Sequence, residues 1–126
     1  MKEIENDRDI EIMVHAFYEK VQRDERLGHI FTEVADVDWD HHLPRMVAFW
    51  SNLLFQSGRY NGKPFRQHLP LPIKRNDFAR WLSLFNETVD EQFTGEKADY
   101  AKEMAAKIAS AFAIRIEMEK KNHKEQ

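Results

Sequence analysis

Cysteine is absent from this 126-residue chain. That absence removes disulfides, thiolate metal sites, iron–sulfur clusters and cysteine nucleophiles together, and leaves the redox compartment unmarked by thiol usage. Glycine is scarce: there are four and no glycine-rich run, so neither a P-loop nor a dinucleotide-binding fingerprint is present. No G-x-S-x-G elbow occurs, and the few serines sit in helical or loop contexts with no strand to mount them, which sets nucleophilic hydrolysis aside. No run of roughly 20 apolar residues offers a membrane span. The start, MKEIENDRD, is acidic and polar rather than basic and then apolar, so no secretory signal is expected and the expected location is the cytoplasm. An excess of one charge is missing too. The formal net charge is −3 and the pI near 6.1, with Lys and Arg interspersed among acids, which leaves no electrostatic footprint for nucleic acid.

Aromatics, by contrast, are plentiful: nine Phe, three Trp and three Tyr make up 12% of the chain. A small helical domain rarely needs so many flat, wide side chains to fill an aliphatic core, so either they are simply core or something flat shares the interior. The length suits one domain, 1–126, with its core over about 9–116 and a solvated tail, EKKNHKEQ, after it.

Helical spacing recurs along the chain. Ile10, Met13, Val14, Phe17 and Val21 line one face, with Asn6 or Asp7 as N-cap and Gly28 to end the turn that follows. After a hinge, LGHIF, the pattern returns at Trp39, Leu43, Met46, Val47, Trp50 and Leu54, capped by Asp38 or Asp40. Pro44 means that this helix either begins close by or bends there. Residues 56–77 hold two of the four glycines and three of the four prolines, which predicts a long irregular stretch. Its Tyr60, Phe65, Leu69, Leu71 and Ile73 give it enough apolar surface to pack against something. Phe78, Trp81, Leu82, Phe85 and Val89 form a third stripe, capped by Asn76 or Asp77 and closed near Gly95. Ala101, Met104, Ala105, Ile108, Phe112 and Ile116 form a fourth. With no strand alternation, internal repeat or heptad run, the expected architecture is all-α, with four substantial helices.

The long irregular stretch contains FRQHLPLPI, in which His68 precedes Pro70 and Pro72. Each proline pushes the residue before it out of the helical region, so a short helix bearing His68 must end at once. A histidine held there suits a metal ligand, because its ring has few orientations and its second nitrogen needs a fixed acceptor. An exposed loop histidine fits the same segment. The doublet His41–His42, with Asp38 before it, lacks the spacing of a zinc motif, and no histidine has a glutamate three positions earlier, as a di-iron bundle would require. Of the two, His42 lies nearer the Trp39, Leu43 and Met46 face. Tyr18 leans to one edge of its stripe and Trp81 is central to its own. A buried O–H or N–H on such residues must find a backbone carbonyl or a ligand as acceptor.

Taken in order, FYEKV at 17–21, LGHIF at 27–31, WDHHLPRMVAFW at 39–50, YNGKPFRQHLPLP at 60–72 and FARWLSLF at 78–85 resemble a truncated haemoglobin of the third group. The likeness runs from about residue 9 to 115. It implies a truncated 2-on-2 globin fold with a haem pocket between helix pairs, and His68 as proximal ligand of the haem iron. Tyr18, Trp81 and a gate histidine, His42, would form the distal side, and Phe31, Met46, Phe49 and Trp50 would wall the pocket. Arg45 and Arg66 match by charge as partners for the haem propionates. Met46 and His42 are both candidate sixth ligands, so five- and six-coordinate resting iron stay open. The expected ligands are O₂, CO, NO, cyanide and similar small molecules. Tyr18 and Trp81 donating to a bound gas would slow its release, which suits NO dioxygenase or peroxidase-like chemistry with a separate reductase better than oxygen delivery. Two other classes compete: a haem-free helical interaction module that presents the 56–77 stretch to a partner, and a zinc or non-haem iron hydrolase using Asp38, His41, His42 and His15 or His29.

Overall fold

Asn6 opens the first helix by accepting the Asp9 amide on its side chain at 3.0 Å, and the stripe beginning at Ile10 then turns inward. The computed structural model describes residues 2–34, 38–56, 58 and 74–125, apart from the side chains of 32–34 and 119–125. Its elements are α1 (Asp7–Arg23), α2 (Glu25–Gly28), a π-helical turn (His29–Val34), α3 (Trp39–Phe55), α4 (Arg75–Gln92) and α5 (Glu96–Glu125). Among the described residues the one extended pairing is an isolated bridge between Lys2 and Phe93. The chain is all-α, as its spacing predicts. Helix α1 packs on α3 and on α4, and α4 packs on α5, so two helix pairs face each other across the core.

Two local expectations, the hinge at LGHIF and the cap of the third stripe, are corrected, and two further details are added. The hinge at LGHIF is helical: Asp24 closes α1 with its backbone N–H, caps the Leu27 amide with its side chain at 3.1 Å, and starts α2, which widens into the π-helical turn. Gly28 does close α2, and a Cβ there would meet the Gln22 carbonyl oxygen at 2.5 Å, so the close approach of α2 to α1 demands glycine. Helix α3 runs from Trp39 through Pro44, whose missing N–H leaves the Asp40 carbonyl without its helical donor. Asp38 occupies the N-cap position without capping through its side chain. Helix α4 begins earlier than Asn76 or Asp77, because Asp77 reaches back to accept the Lys74 amide at 2.9 Å. Finally, α5 does not stop after Ile116 but continues to Glu125, since no glycine or proline interrupts it. Its Glu117 and Met118 are exposed, while the side chains of the expected tail EKKNHKEQ lie outside the described residues.

The core is aromatic. Phe85 lies stacked between Trp50 (4.8 Å, 17°) and Trp81 (5.8 Å, 11°), and Phe17 meets both Phe85 and Trp81 edge-on at 5.2 and 5.4 Å. These rings join α1, α3 and α4 in one cluster and fix where Trp81 can point.

The amino-terminal segment staples the far end. Gly95, at φ +113°, turns the chain into α5, and the Glu3 carboxylate sits over that helix start, accepting the Ala98 amide at 3.0 Å. Burial tends to raise the Glu3 carboxyl, but the amides of Lys97, Ala98, Ile4 and Glu96 together outweigh it and hold it below the usual glutamate value. A depressed folded value means that this stabilisation is present above the unfolded pKa and fades as pH falls through the folded one. Glu3→Gln is therefore expected to lose roughly 0.3–1 kcal/mol at neutral pH, the usual contribution of an anion at a helix N-terminus. The gap to wild type should close below about pH 4. Urea unfolding at a series of pH values measures it, and a gap that persisted unchanged into acid would refute the charge argument.

Candidate functional site: an aromatic cleft with a tyrosine–tryptophan pair

Between the helix pairs lies a cleft of about 820 Å³, its open mouth included. Each element contributes by its own periodicity. Helix α3 presents His42, Met46, Phe49 and Trp50, which fall on one face, and α4 presents Asp77, Phe78 and Trp81. Helix α5 closes the opposite side with Ile108, Ala109 and Phe112, while α2 and the π-helical turn add Leu27, Ile30 and Phe31. A π-helical turn is uncommon and tends to occur at functional sites. Here it carries Phe31 into the wall.

The cleft is apolar except at three points, Tyr18, His42 and Asp77. Tyr18 is only 6% exposed. Burial pushes its hydroxyl pKa up, and a hydrogen bond with Trp81 acts the other way without cancelling the rise. Indole is a donor only, so Trp81 acts on the Tyr18 oxygen through its N–H, and the phenol keeps its own proton for another acceptor. Tyr18 therefore stays a neutral donor across physiological pH. The His42 ring stands edge-on to Tyr18 at 5.4 Å, and its Nε2 is buried. Asp77, with a side chain 9% exposed, is balanced by Arg26, whose Nε and Nη2 reach its two oxygens at 3.1 and 3.3 Å. Next to it Arg80 pairs with Asp24 at 2.7 Å. Burial tends to raise the Asp24 carboxyl, but the Leu27 amide and the Arg80 guanidinium outweigh it and hold it low. These two pairs tie α2 to α4 beneath the cleft.

Of the residues singled out in the sequence, Tyr18, Phe31, His42, Met46, Phe49, Trp50 and Trp81 all line this one cleft. His41, by contrast, is exposed, as are His15 and His29. Among the described residues no group of three or more His, Asp or Glu is arranged to hold a metal ion, so the hydrolase reading with Asp38, His41, His42 and His15 or His29 is set aside. Arg45 is half-buried on α3 and is not part of the lining. His68 and Arg66 lie outside the described residues. Sequence reasoning missed Leu27, Ile30, Asp77, Phe78, Ile108, Ala109 and Phe112 as site residues. Phe78, Ile108 and Phe112 stand on stripes that look the same whether a residue faces a neighbouring helix or a cleft, and Asp77 reads as a cap.

A wide apolar slot walled by aromatic rings, with its hydrogen-bond donors confined to one patch, fits a flat, largely apolar macrocycle such as haem. The bacterial-like globin family matches residues 2–116. The group 3 truncated hemoglobin ctb of Campylobacter jejuni is 35% identical over 111 residues, covering 85% of this chain and 87% of that protein. The crystal structure of the group III truncated hemoglobin from Campylobacter jejuni matches with a TM-score of 0.82 at 35% identity, over 92% of this chain and 95% of that one. Among the described residues no helix is long and apolar enough to cross a membrane. The chain belongs to the bacterial-like globin family as a truncated haemoglobin of the third group, and is thus a haem-based gas-binding protein of truncated globin fold.

Proposed function

We propose that the cleft seats haem with His68 as ligand of its iron and with Tyr18, Trp81 and His42 on the side where the gas binds. On this reading the bound gas is held for redox chemistry, of NO dioxygenase or peroxidase-like type with a separate reductase, rather than released for delivery. Bound haem supplies an iron centre that takes O₂, CO, NO or cyanide and exchanges electrons. The observation that carries the reading is that Tyr18, His42 and Trp81 meet in an otherwise apolar cleft.

What the protein adds follows from these side chains. Trp81 orients the Tyr18 oxygen, so the remaining O–H proton is available to a ligand that gathers negative charge. A donor held in a dry, low-dielectric site is stronger than the same donor in water and needs no reorganisation. A charge-assisted hydrogen bond contributes about 1.5–3 kcal/mol, which slows ligand release by roughly ten- to a hundredfold. Oxygen delivery is poorly served by such slow release. Phe31, Met46, Phe49 and Trp50 exclude water from the macrocycle and give it a flat apolar seat. Arg45 and Arg66 are assigned to the propionates on charge.

Family membership does not favour the haem-free interaction module, and one experiment separates the two. Titration of the purified chain with haemin is expected to give an intense visible band that saturates at one haem per chain and shifts when the sample is reduced and exposed to CO. A well-folded chain with no stoichiometric band would overturn the proposal.

A further inference from the structure

Trp39 is absent from the cleft lining, yet the polar end of the cleft is built against it. Its indole lies 5.5 Å from the Tyr18 ring, 5.7 Å from the His42 imidazole and 6.3 Å from Phe31. The contact with His42 is edge-on at 79°, and His42 meets Tyr18 edge-on at 84°. The three rings touch one another in a triangle of nearly equal sides, so the imidazole bears on the cleft-lining Tyr18 and on Trp39 at once. Trp39 and His42 are three residues apart on α3, neighbours on the helix surface, so any swing of His42 out of the cleft moves along the indole or displaces it. Trp39 in turn touches Phe31, which the π-helical turn carries.

We propose that Trp39 is the positioning residue of a distal gate: it holds His42 against Tyr18, and it thereby sets the size of ligand that enters the cleft. This rests on the reading of the cleft as a haem site with His42 on its distal side. Trp39 touches no ligand; it acts through His42. An aromatic pair of this geometry biases an open–closed equilibrium by about two- to tenfold. A diatomic gas slips past a nearly closed imidazole, whereas a longer ligand must wait for the open state, so removing the indole favours the longer ligand selectively.

The test uses the haem-loaded protein as wild type, Trp39→Ala, Trp39→Phe, His42→Ala and the Trp39→Ala/His42→Ala double variant. Association of CO and of n-butyl isocyanide is followed by absorbance. Trp39→Ala is expected to speed isocyanide binding by about five- to tenfold while CO changes by less than about twofold, with Trp39→Phe returning most of the selectivity. In the His42→Ala background the Trp39 change is expected to be silent. Ring-proton NMR shifts of His42 in the CO complex are expected to move in Trp39→Ala and to stay near wild type in Trp39→Phe. Equal acceleration of both ligands, no change in either, or a full Trp39 effect without His42 would each overturn the gate. If Trp39→Ala failed to fold, an unaltered isocyanide-to-CO ratio in His42→Ala alone would overturn it as well. A wild-type chain that took up no haem would instead remove the haem reading itself, so the two failures are distinguishable.

Discussion

His68→Ala is expected to abolish the intense visible band of the haem-loaded protein. By sequence, Pro70 and Pro72 are expected to drive Leu69 and Leu71 out of helical geometry, so a short helix bearing His68 would end there and leave the ring few orientations. Changes in the outer shell of a metal site cost about 10–100-fold in affinity, and loss of the ligand itself should exceed that range. Haemin titration of His68→Ala beside wild type and His42→Ala measures the effect. Wild type and His42→Ala should retain the band, His68→Ala should lose it, and millimolar free imidazole should restore part of it by filling the vacated space. If His68→Ala bound haem with an unchanged spectrum and affinity, the assignment of His68 would be wrong, even though the cleft itself could still be a haem site.

Tyr18→Phe and Trp81→Phe are expected to speed release of a charge-gathering ligand by roughly ten- to a hundredfold each, because each removes a donor from the same patch. The two side chains act on one another and on the same ligand, so their effects should not multiply: the double variant should release the ligand much less rapidly than the product of the two single effects predicts. Carbon monoxide, which gathers little charge, is the internal control and should dissociate at nearly the wild-type rate. Stopped-flow displacement of O₂ and of CO from the four proteins gives all the rates. Unchanged O₂ release in both single variants would remove the donor scheme, and with it the argument that the protein holds its gas for chemistry rather than delivery.

Local order was legible in the sequence wherever one physical cause acted alone. The stripes at Ile10–Val21 and Phe78–Val89 form α1 and α4 because a 3.6-residue repeat has one way to bury its apolar side. The boundaries were less legible. Asp77 competes as cap and as third-position partner, and the reach of its carboxylate to the Lys74 amide decides for the second. The helical state of LGHIF rests on Asp24, which serves two helices at once, a double duty that no single-helix pattern reveals.

Before any coordinates, the sequence determined that the chain is all-α, that no thiol, glycine-loop or serine-elbow chemistry is available, and, through five ordered motifs, which globin family it resembles. Those properties depend on composition and on spacing along the chain. Tertiary structure alone decided that Phe78, Ile108 and Phe112 face a cleft rather than a neighbouring helix, that Trp81 comes to the same cleft as Tyr18, and that Trp39 packs on both Tyr18 and His42. Helical periodicity specifies the face on which a side chain lies but not what stands opposite it. That depends on how residues far apart in sequence are brought together when the two helix pairs pack.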